Sequence, residues 1–453
     1  MNIIIVGGGK VGISLTSLLS NEGHNVTIID TMPKLIENIV NDYDVIGYCG
    51  NGAAFTVQAE AGVSKCDIFI AVTGSDELNI MSCIVAEKLG AKHSVARVRD
   101  PEYSHQTEFM RNKLGIDMII NPELEAANEI SRIVEFPAAT KIESFAKSRV
   151  ELCEITISQD SVLNEMPLFE LRKKLNVAML ICAVQRGDEL FIPKGNFVLK
   201  AGDRIHFTAS RSELGKIFRL LGMQKKKIKS ALIVGGSRTS YYLCQRLATA
   251  GIKVKLIESD PARASRLEAE LDGITVICGD GTDTDILNEE GLANFDASVA
   301  LTDIDEENLI MSMYANKLGV EKTICKINRT ALLGMFSSVV ANCSIISPKD
   351  LTAGMILRYA RAVNNLDGSR IKTLYRIVEG MAEALEFISA DNCSLNGKPL
   401  KDLKLKPNML IACVTHGNTV LIPDGNTVIS AGDSVIVITS ADHAVSDLNE
   451  ILL

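Results

Sequence analysis

Three glycines and one acid carry the clearest chemistry in this chain. Gly7-x-Gly9-x-x-Gly12 follows the apolar run Ile3-Ile4-Ile5-Val6 and opens a helix-length segment, and Asp30 closes the next apolar run. In a strand, loop, helix, strand order the first glycine allows a tight turn. The second removes a Cβ where backbone must approach a diphosphate, and the third lets the helix pack closely on the strand. Unpaired N–H groups at the start of a helix attract phosphate. Gly7, Gly8, Gly9, Lys10, Val11 and Gly12 are therefore the expected diphosphate cradle of a dinucleotide, with Lys10 adding positive charge. Asp30 is expected to accept hydrogen bonds from the adenosine ribose and to repel a 2′-phosphate, which favours NAD(H) over NADP(H).

Other residues fall where a parallel α/β sheet binds ligands, after the carboxyl ends of strands. Asn51 and Gly52, after the third apolar run, are expected on the adenine side, and Thr73 and Gly74, after the fourth, near the middle of the ligand. Loop and cap roles remain equally open for these four. Arg97 is a further candidate for phosphate contact, whereas Arg99, on the same side of a strand of period two, is expected in a surface ion pair.

The elements that must position these residues occur twice. Ile4-Ile5-Val6-Gly7-Gly8 returns as Leu232-Ile233-Val234-Gly235-Gly236, and Asp30 returns as Glu258, both at an offset of 228. Cys49-Gly50-Asn51-Gly52 returns as Cys278-Gly279-Asp280-Gly281, and Asp76 as Asp305, at 229. Ile192-Pro193 and Ala201-Gly202-Asp203 return as Ile422-Pro423 and Ala431-Gly432-Asp433 at 230. So steady an offset indicates one duplicated unit. Short Val/Ile-rich runs alternate with helix-length segments over 1–136 and 230–362, which predicts two doubly wound parallel sheets. Segments 140–221 and 372–453 are strand-rich with Gly/Asp/Asn turns, which predicts small α+β lobes with one half-buried sheet each. The fold class is thus α/β: two tandem Rossmann-like domains, each followed by a small C-lobe. Thr73-x-x-Asp76 and Thr302-x-x-Asp305 are expected to open equivalent helices as capping boxes, and Asn121-Pro122-Glu123 to start a helix through Ile133.

The second copy departs from the glycine pattern. Gly235 and Gly236 persist, but Ser237 and Ser240 stand where the second and third motif glycines belong. Ser237 puts a side chain where a diphosphate needs bare backbone, and Ser240 is expected to loosen the helix-strand contact. Arg238 and Thr239 offer a charge and a hydroxyl in partial compensation, and Glu258 and Asp280 keep the ribose and loop positions. A second, weaker nucleotide site is the expectation.

Composition narrows the function classes. The 453 residues carry 47 Lys plus Arg against 56 Asp plus Glu, a net charge of -9 that opposes binding to nucleic acid. The basic run Lys225-Lys226-Lys227-Ile228-Lys229 is expected to be a solvated hinge. No apolar stretch reaches the roughly 18 to 20 residues of a membrane span, and the glycines after Val6 argue against a cleaved leader. Eleven cysteines without Cys-x-x-Cys spacing suggest a reduced, cytoplasmic setting. Six histidines with no i, i+4 pairing offer no zinc ligand set, and no metal is expected.

The duplicated glycine-loop domain with its following strand-rich lobe resembles the TrkA family of potassium-uptake proteins, built from two tandem RCK (regulator of potassium conductance) units. The resemblance rests on Gly7 to Gly12 with Asp30, Gly50-Asn51-Gly52, Thr73 to Glu77, Ala96-Arg97-Val98, Asn121-Pro122 and both Ala-Gly-Asp turns. It implies a cytoplasmic regulator, peripheral at the inner face of the membrane, that gates an integral-membrane potassium transporter of the Trk type. It further implies a homo-oligomer, commonly a tetramer, with NAD(H) as ligand and ATP or ADP acting at similar clefts. The rival class is an NAD-dependent dehydrogenase, which would need a His or Lys in a polar loop near the nicotinamide. His206 lies in an alternating strand and His416 in a turn, so no catalytic set is evident and the chain is not expected to be an enzyme.

Overall fold

The computed structural model describes residues 1–104, 106–137, 141–145, 150–187, 189–223, 228–329, 343–366, 371–378, 381–417, 419–440, 445 and 447–453. Most of the basic run at 225–229 lies outside the described residues, so its expected hinge role is not described.

In the first copy the strands β1 (Asn2–Val6), β2 (Asn25–Asp30), β3 (Ile46–Cys49), β4 (Ile68–Ala71), β5 (His93–Arg97) and β6 (Met118–Ile120) form one parallel sheet of order 3-2-1-4-5-6. The reversal of strand order beside β1 opens a crevice at the carboxyl ends of β1 and β4. The central strands are apolar throughout, with Ile3, Ile5, Ile68, Phe69 and Ile70 fully buried, because helices cover both faces. The second copy repeats the order with Ser230–Val234 at its centre and Lys253–Glu258 and Ala297–Ala300 as neighbours.

Each C-lobe is a five-stranded antiparallel sheet, one ordered around Val150–Thr156, Met179–Arg186 and Arg204–Ser210, the other around Ala382–Ile388, Met409–His416 and Ser434–Ser440. The expected half-buried sheet is corrected here. Arg204–Ser210 is buried at all five interior positions, His206 and Thr208 included. One face packs on its own helix residues Leu171, Leu214 and Ile217, while the other joins Leu152, Cys182 and Ala183 to Ala412, Cys413 and Ile436 of the second C-lobe. Thr208 Oγ1 donates to the Ala412 carbonyl at 2.9 Å across that contact, so alternation of polar residues did not mean exposure.

The chain divides into two compact units that do not follow the order of the repeats. One holds 1–134 with 228–360, the other 135–227 with 361–453, so nucleotide-type lobe packs on nucleotide-type lobe and C-lobe on C-lobe. In the first unit the helix Pro122–Glu135 runs two residues beyond expectation, and its Ala126, Ala127, Ile130 and Val134 enter the core of the second copy beside Leu243 and Leu247. In return Tyr359 Oη on the helix Pro348–Leu366 lies 3.3 Å from His93 Nδ1.

Because Ile130 is fully buried in that shared core, Ile130→Ala should lower unfolding stability by about 2 to 5 kcal/mol. Urea denaturation followed by circular dichroism should show a lower midpoint. An unchanged midpoint would mean that the helix does not bind the two lobes together.

Candidate functional site

The glycine loop is held from below by its acid. Gly8 N donates to Asp30 Oδ2 at 2.7 Å and Met32 N to Asp30 Oδ1 at 2.9 Å, so the loop after β1 and the end of β2 share one carboxylate. Gly7 adopts φ +104°, and a Cβ at Gly12 would stand 1.8 Å from the Gly7 carbonyl oxygen, a contact only glycine tolerates. Gly9 is different: a Cβ there would meet nothing within 4 Å. Its bareness serves no packing need inside the chain, which leaves open space in front of the helix Lys10–Asn21. Lys10 and Val11 occupy the first turn, exposed and buried respectively.

Asn51 closes its loop by accepting from Ala53 N at 3.0 Å. Gly52 has a packing role, since a Cβ would lie 2.0 Å from Val6 Cγ1. Thr73 and Gly74 sit beyond β4, and Gly74, like Gly9, faces open space. The expected capping box is not what forms here. Ser75 caps the helix Asp76–Leu89 by accepting from Leu78 N at 3.2 Å. Thr73 is instead engaged by Asn79, whose Oδ1 accepts from Thr73 N at 2.8 Å and Thr73 Oγ1 at 2.7 Å. In the second copy Ile304 occupies the cap position without a side-chain bond, and Asn308 holds Thr302 in the same way.

Arg97 ends β5 and donates from Nη2 to the Thr73 carbonyl, while its buried Nε has no partner. Burial first, then the nearby Arg99 charge, holds this guanidinium below its usual range, although it stays protonated at neutral pH. Arg99 lies two residues beyond the strand. Its backbone N–H donates to Asp76 Oδ2 at 2.8 Å, and its side chain reaches the Gly74 carbonyl and, at 3.4 Å, Asp76.

Spacing alone did not flag Asn79 or Gln58. Both are fully buried polar residues on amphipathic helices, where an apolar residue is the ordinary choice, and that substitution is the signal that could have found them. Asn79 Nδ2 also donates to the Arg97 carbonyl at 2.8 Å, tying the ends of β4 and β5 together. Gln58 Nε2 donates to the Gly52 and Ser82 carbonyls at 2.7 and 2.9 Å, fixing the loop after β3.

In the second copy the same groups are closed on themselves. Ser237 Oγ accepts from Ser240 N at 3.3 Å, capping the helix Arg238–Thr249. Ser240 does not loosen the contact as expected; its Oγ donates to the Gly235 carbonyl, replacing tight approach by a hydrogen bond. Glu258 is buried, accepts from Gly236 N at 2.6 Å and Asp260 N at 2.7 Å, and has Arg263 at 3.5 Å. Thr239 is buried in the first turn. Arg238 approaches Asp100 of the first copy at 3.9 Å. Asp280 accepts from the Thr282 backbone and hydroxyl, and these bonds hold its carboxyl below the usual range.

Among the described residues no group of three or more His, Cys, Asp or Glu could hold a metal ion. None of the described helices is long and apolar enough to cross a membrane.

Comparison with known proteins follows this duplicated geometry. The TrkA-N domain model matches residues 3–122 and 231–348, and the TrkA-C domain model residues 152–222 and 385–452. The chain belongs to the TrkA family. The Trk system potassium uptake protein TrkA homolog of Archaeoglobus fulgidus is 33% identical over 98% of both chains. The Trk system potassium uptake protein TrkA of Vibrio alginolyticus is 30% identical over 99% of this chain and 98% of that one. A solved GsuK channel bound to NAD shares the fold with a TM-score of 0.64 at 15% identity, covering 97% of this chain and 77% of that one. The isolated GsuK RCK domain gives 0.63 at 15% identity over 97% of this chain and 92% of its own. The expected tandem Rossmann-like lobes with C-lobes are thus those of the TrkA family. The chain groups with potassium-uptake proteins.

In this TrkA-family lobe, removing Asn79 would leave the Thr73 amide and the Arg97 carbonyl without their buried partner. Asn79→Ala should therefore cost about 2 to 4 kcal/mol. Chemical denaturation is the check, and Asn308→Ala should cost a similar amount because Asn308 makes the corresponding bonds to Thr302 and Lys326. Less than about 0.5 kcal/mol for both would show that these amides are not the ties they form here.

Proposed function

We propose that this protein is the NAD(H)-sensing regulatory subunit of a membrane potassium uptake transporter of the Trk type. The observation that carries the reading is the first copy's loop: bare at Gly9 and Gly74, flanked by Asp30 and Arg97, and free of internal packing reasons for its two open glycines. Gly7 to Gly12 would cradle the diphosphate, Asp30 the adenosine ribose, Asn51 and Gly52 the adenine side, and Thr73, Gly74 and Arg97 the centre of the ligand. Each Asp30 oxygen accepts one backbone N–H and keeps a second lone pair for a ribose hydroxyl. Membership in the TrkA family and a fold neighbour that is a GsuK channel bound to NAD support this reading. A GsuK structure bound to ADP supports an adenine nucleotide at the same cleft; its TM-score is 0.51 at 12% identity. The second copy, from Gly235 and Gly236 through Ser237, Arg238, Thr239, Glu258 and Asp280, is the weaker site. The protein would work as a homotetramer, cytoplasmic and peripheral through its transporter.

Signal leaves the first site by a short path into the second copy. Arg99 and Asp100 follow Arg97, and the Arg99 carbonyl accepts from Tyr242 Oη at 3.0 Å and Asn121 Nδ2 at 3.2 Å. A ligand that draws on Arg97 therefore bears on both lobes of one unit. It shifts their equilibrium only by its difference in affinity between states, and about 1 to 3 kcal/mol gives roughly a tenfold to hundredfold response.

Two measurements test this. Calorimetric titration should show NADH bound more tightly than NADPH, and Asp30→Ala should bring the two affinities together; equal affinity in the unmutated protein would overturn the assignment of Asp30. NADH incubated with keto acids, aldehydes or quinones should stay unoxidised, while cells lacking this protein but keeping the transporter should lose potassium uptake. Multiple turnovers, with uptake intact, would favour a dehydrogenase.

A further inference from the structure

The two copies also differ at a pair of facing positions beside the crevice. Arg97 at the end of β5 corresponds to Lys326 at the end of the strand Lys322–Lys326, and the open Gly74 corresponds to Asp303. In the second copy Lys326 Nζ donates to Asp303 Oδ1 at 3.1 Å, with the lysine side chain 9% and the aspartate 89% exposed. Lys326 ends an interior strand of the sheet, and its buried side chain meets Asp303 at the crevice mouth. Asp303 stands at that mouth, where the first copy has no side chain. The preceding residue does not change: Thr302 is held by Asn308 as Thr73 is by Asn79. A local rearrangement of the loop does not therefore account for the difference.

We infer that the Asp303 carboxylate occupies, in the second lobe, the place of a ligand phosphate, so that Asp303 is the residue that sets the two lobes' unequal affinity for phosphorylated ligands. This rests on the reading of the first crevice as a nucleotide site. A buried cation at a crevice mouth attracts an anion, and a protein carboxylate already paired with it cancels that attraction and repels a second anion at short range. One neighbour acts in the same direction: Ser237 takes up a helix-start amide that the first copy leaves without a side-chain cap. The inference therefore extends to ligand class: the second crevice disfavours diphosphates and triphosphates but carries no such penalty against an uncharged nucleoside.

The test uses the full chain with the first crevice blocked by Gly9→Tyr, so that only the second lobe reports. ADP and adenosine are titrated into this protein and into the same protein carrying Asp303→Asn or Asp303→Gly. Asp303 itself is exposed, but either change leaves the buried Lys326 without its carboxylate, so circular dichroism on both variants accompanies the titration to confirm the native fold. ADP should bind at least about tenfold more tightly after either change, the gain should shrink at high salt, and adenosine should bind as before. An unchanged ADP affinity, including no measurable binding in either protein, would overturn the inference, and so would an equal gain for adenosine. The unmutated chain, titrated in parallel, reports separately on the first lobe. Absence of its tight NADH phase would refute the proposed function, whatever Asp303 does.

Discussion

Everything at the crevice depends on how closely the first helix can approach the end of the central strand. With a glycine at position 12, the helix rests against the Gly7 carbonyl at a distance no side chain would allow, and its N-terminal turn lies directly over β1. That approach sets where the loop amides stand, and Asp30 secures them through Gly8 N. The second copy keeps the same path with a different contact, a serine hydroxyl bonded to the corresponding carbonyl. One backbone shape is thus supported in two ways. Only the glycine version leaves the helix start without a side-chain cap, because a hydrogen bond that holds the loop also uses up what the loop could offer a ligand.

Buried amides extend this constraint across the sheet. Asn79 and Gln58 each bond to loops on the ligand-facing edge, and both are fully buried, where an unpaired amide would be costly. The ends of β3, β4 and β5 are therefore fixed before any ligand arrives, which lowers the ordering cost of binding. Asp76 does the same for the next segment, accepting from the Arg99 and Asp100 amides, and Asp305 repeats it with Asn328 and Arg329. Burial raises the Asp305 carboxyl pKa, but the Asn328 and Arg329 amides outweigh it and leave it below its usual range. The carboxylate thus stays charged and the tie holds at neutral pH.

Much of this was legible in the residues, and what was not has a common cause. The alternation of strands and helices and the glycine loop after the first strand follow from apolar periodicity broken by glycines, because those signals are local; the order of strands in the sheet is not such a signal. The loop serines of the second copy also announce themselves as departures from a pattern. What periodicity does not carry is which faces meet. The second copy's core takes in Ile130, and the C-lobe strand Arg204–Ser210 is buried on both sides although polar residues alternate along it. A half-buried sheet would turn the polar positions His206 and Thr208 to solvent, but both are buried, and Thr208 bonds the other C-lobe. The spacing of Thr73 fits a helix cap, but a buried asparagine six residues on competes for the same hydroxyl and holds it.

The pairing of like lobes gives the duplication a physical purpose. Had each copy closed on its own C-lobe, the two crevices would report separately, and divergence of one would simply lose a site. Packed instead into one unit, the second lobe forms part of the first lobe's surroundings: Tyr242 bonds the Arg99 carbonyl and Arg238 approaches Asp100. Its own loop can then become internally satisfied without ceasing to matter, since Tyr242 and Arg238 still meet the first lobe. The serines at the second loop and the carboxylate in front of Lys326 fit such a lobe, keeping the fold of the first while committing its polar groups to itself.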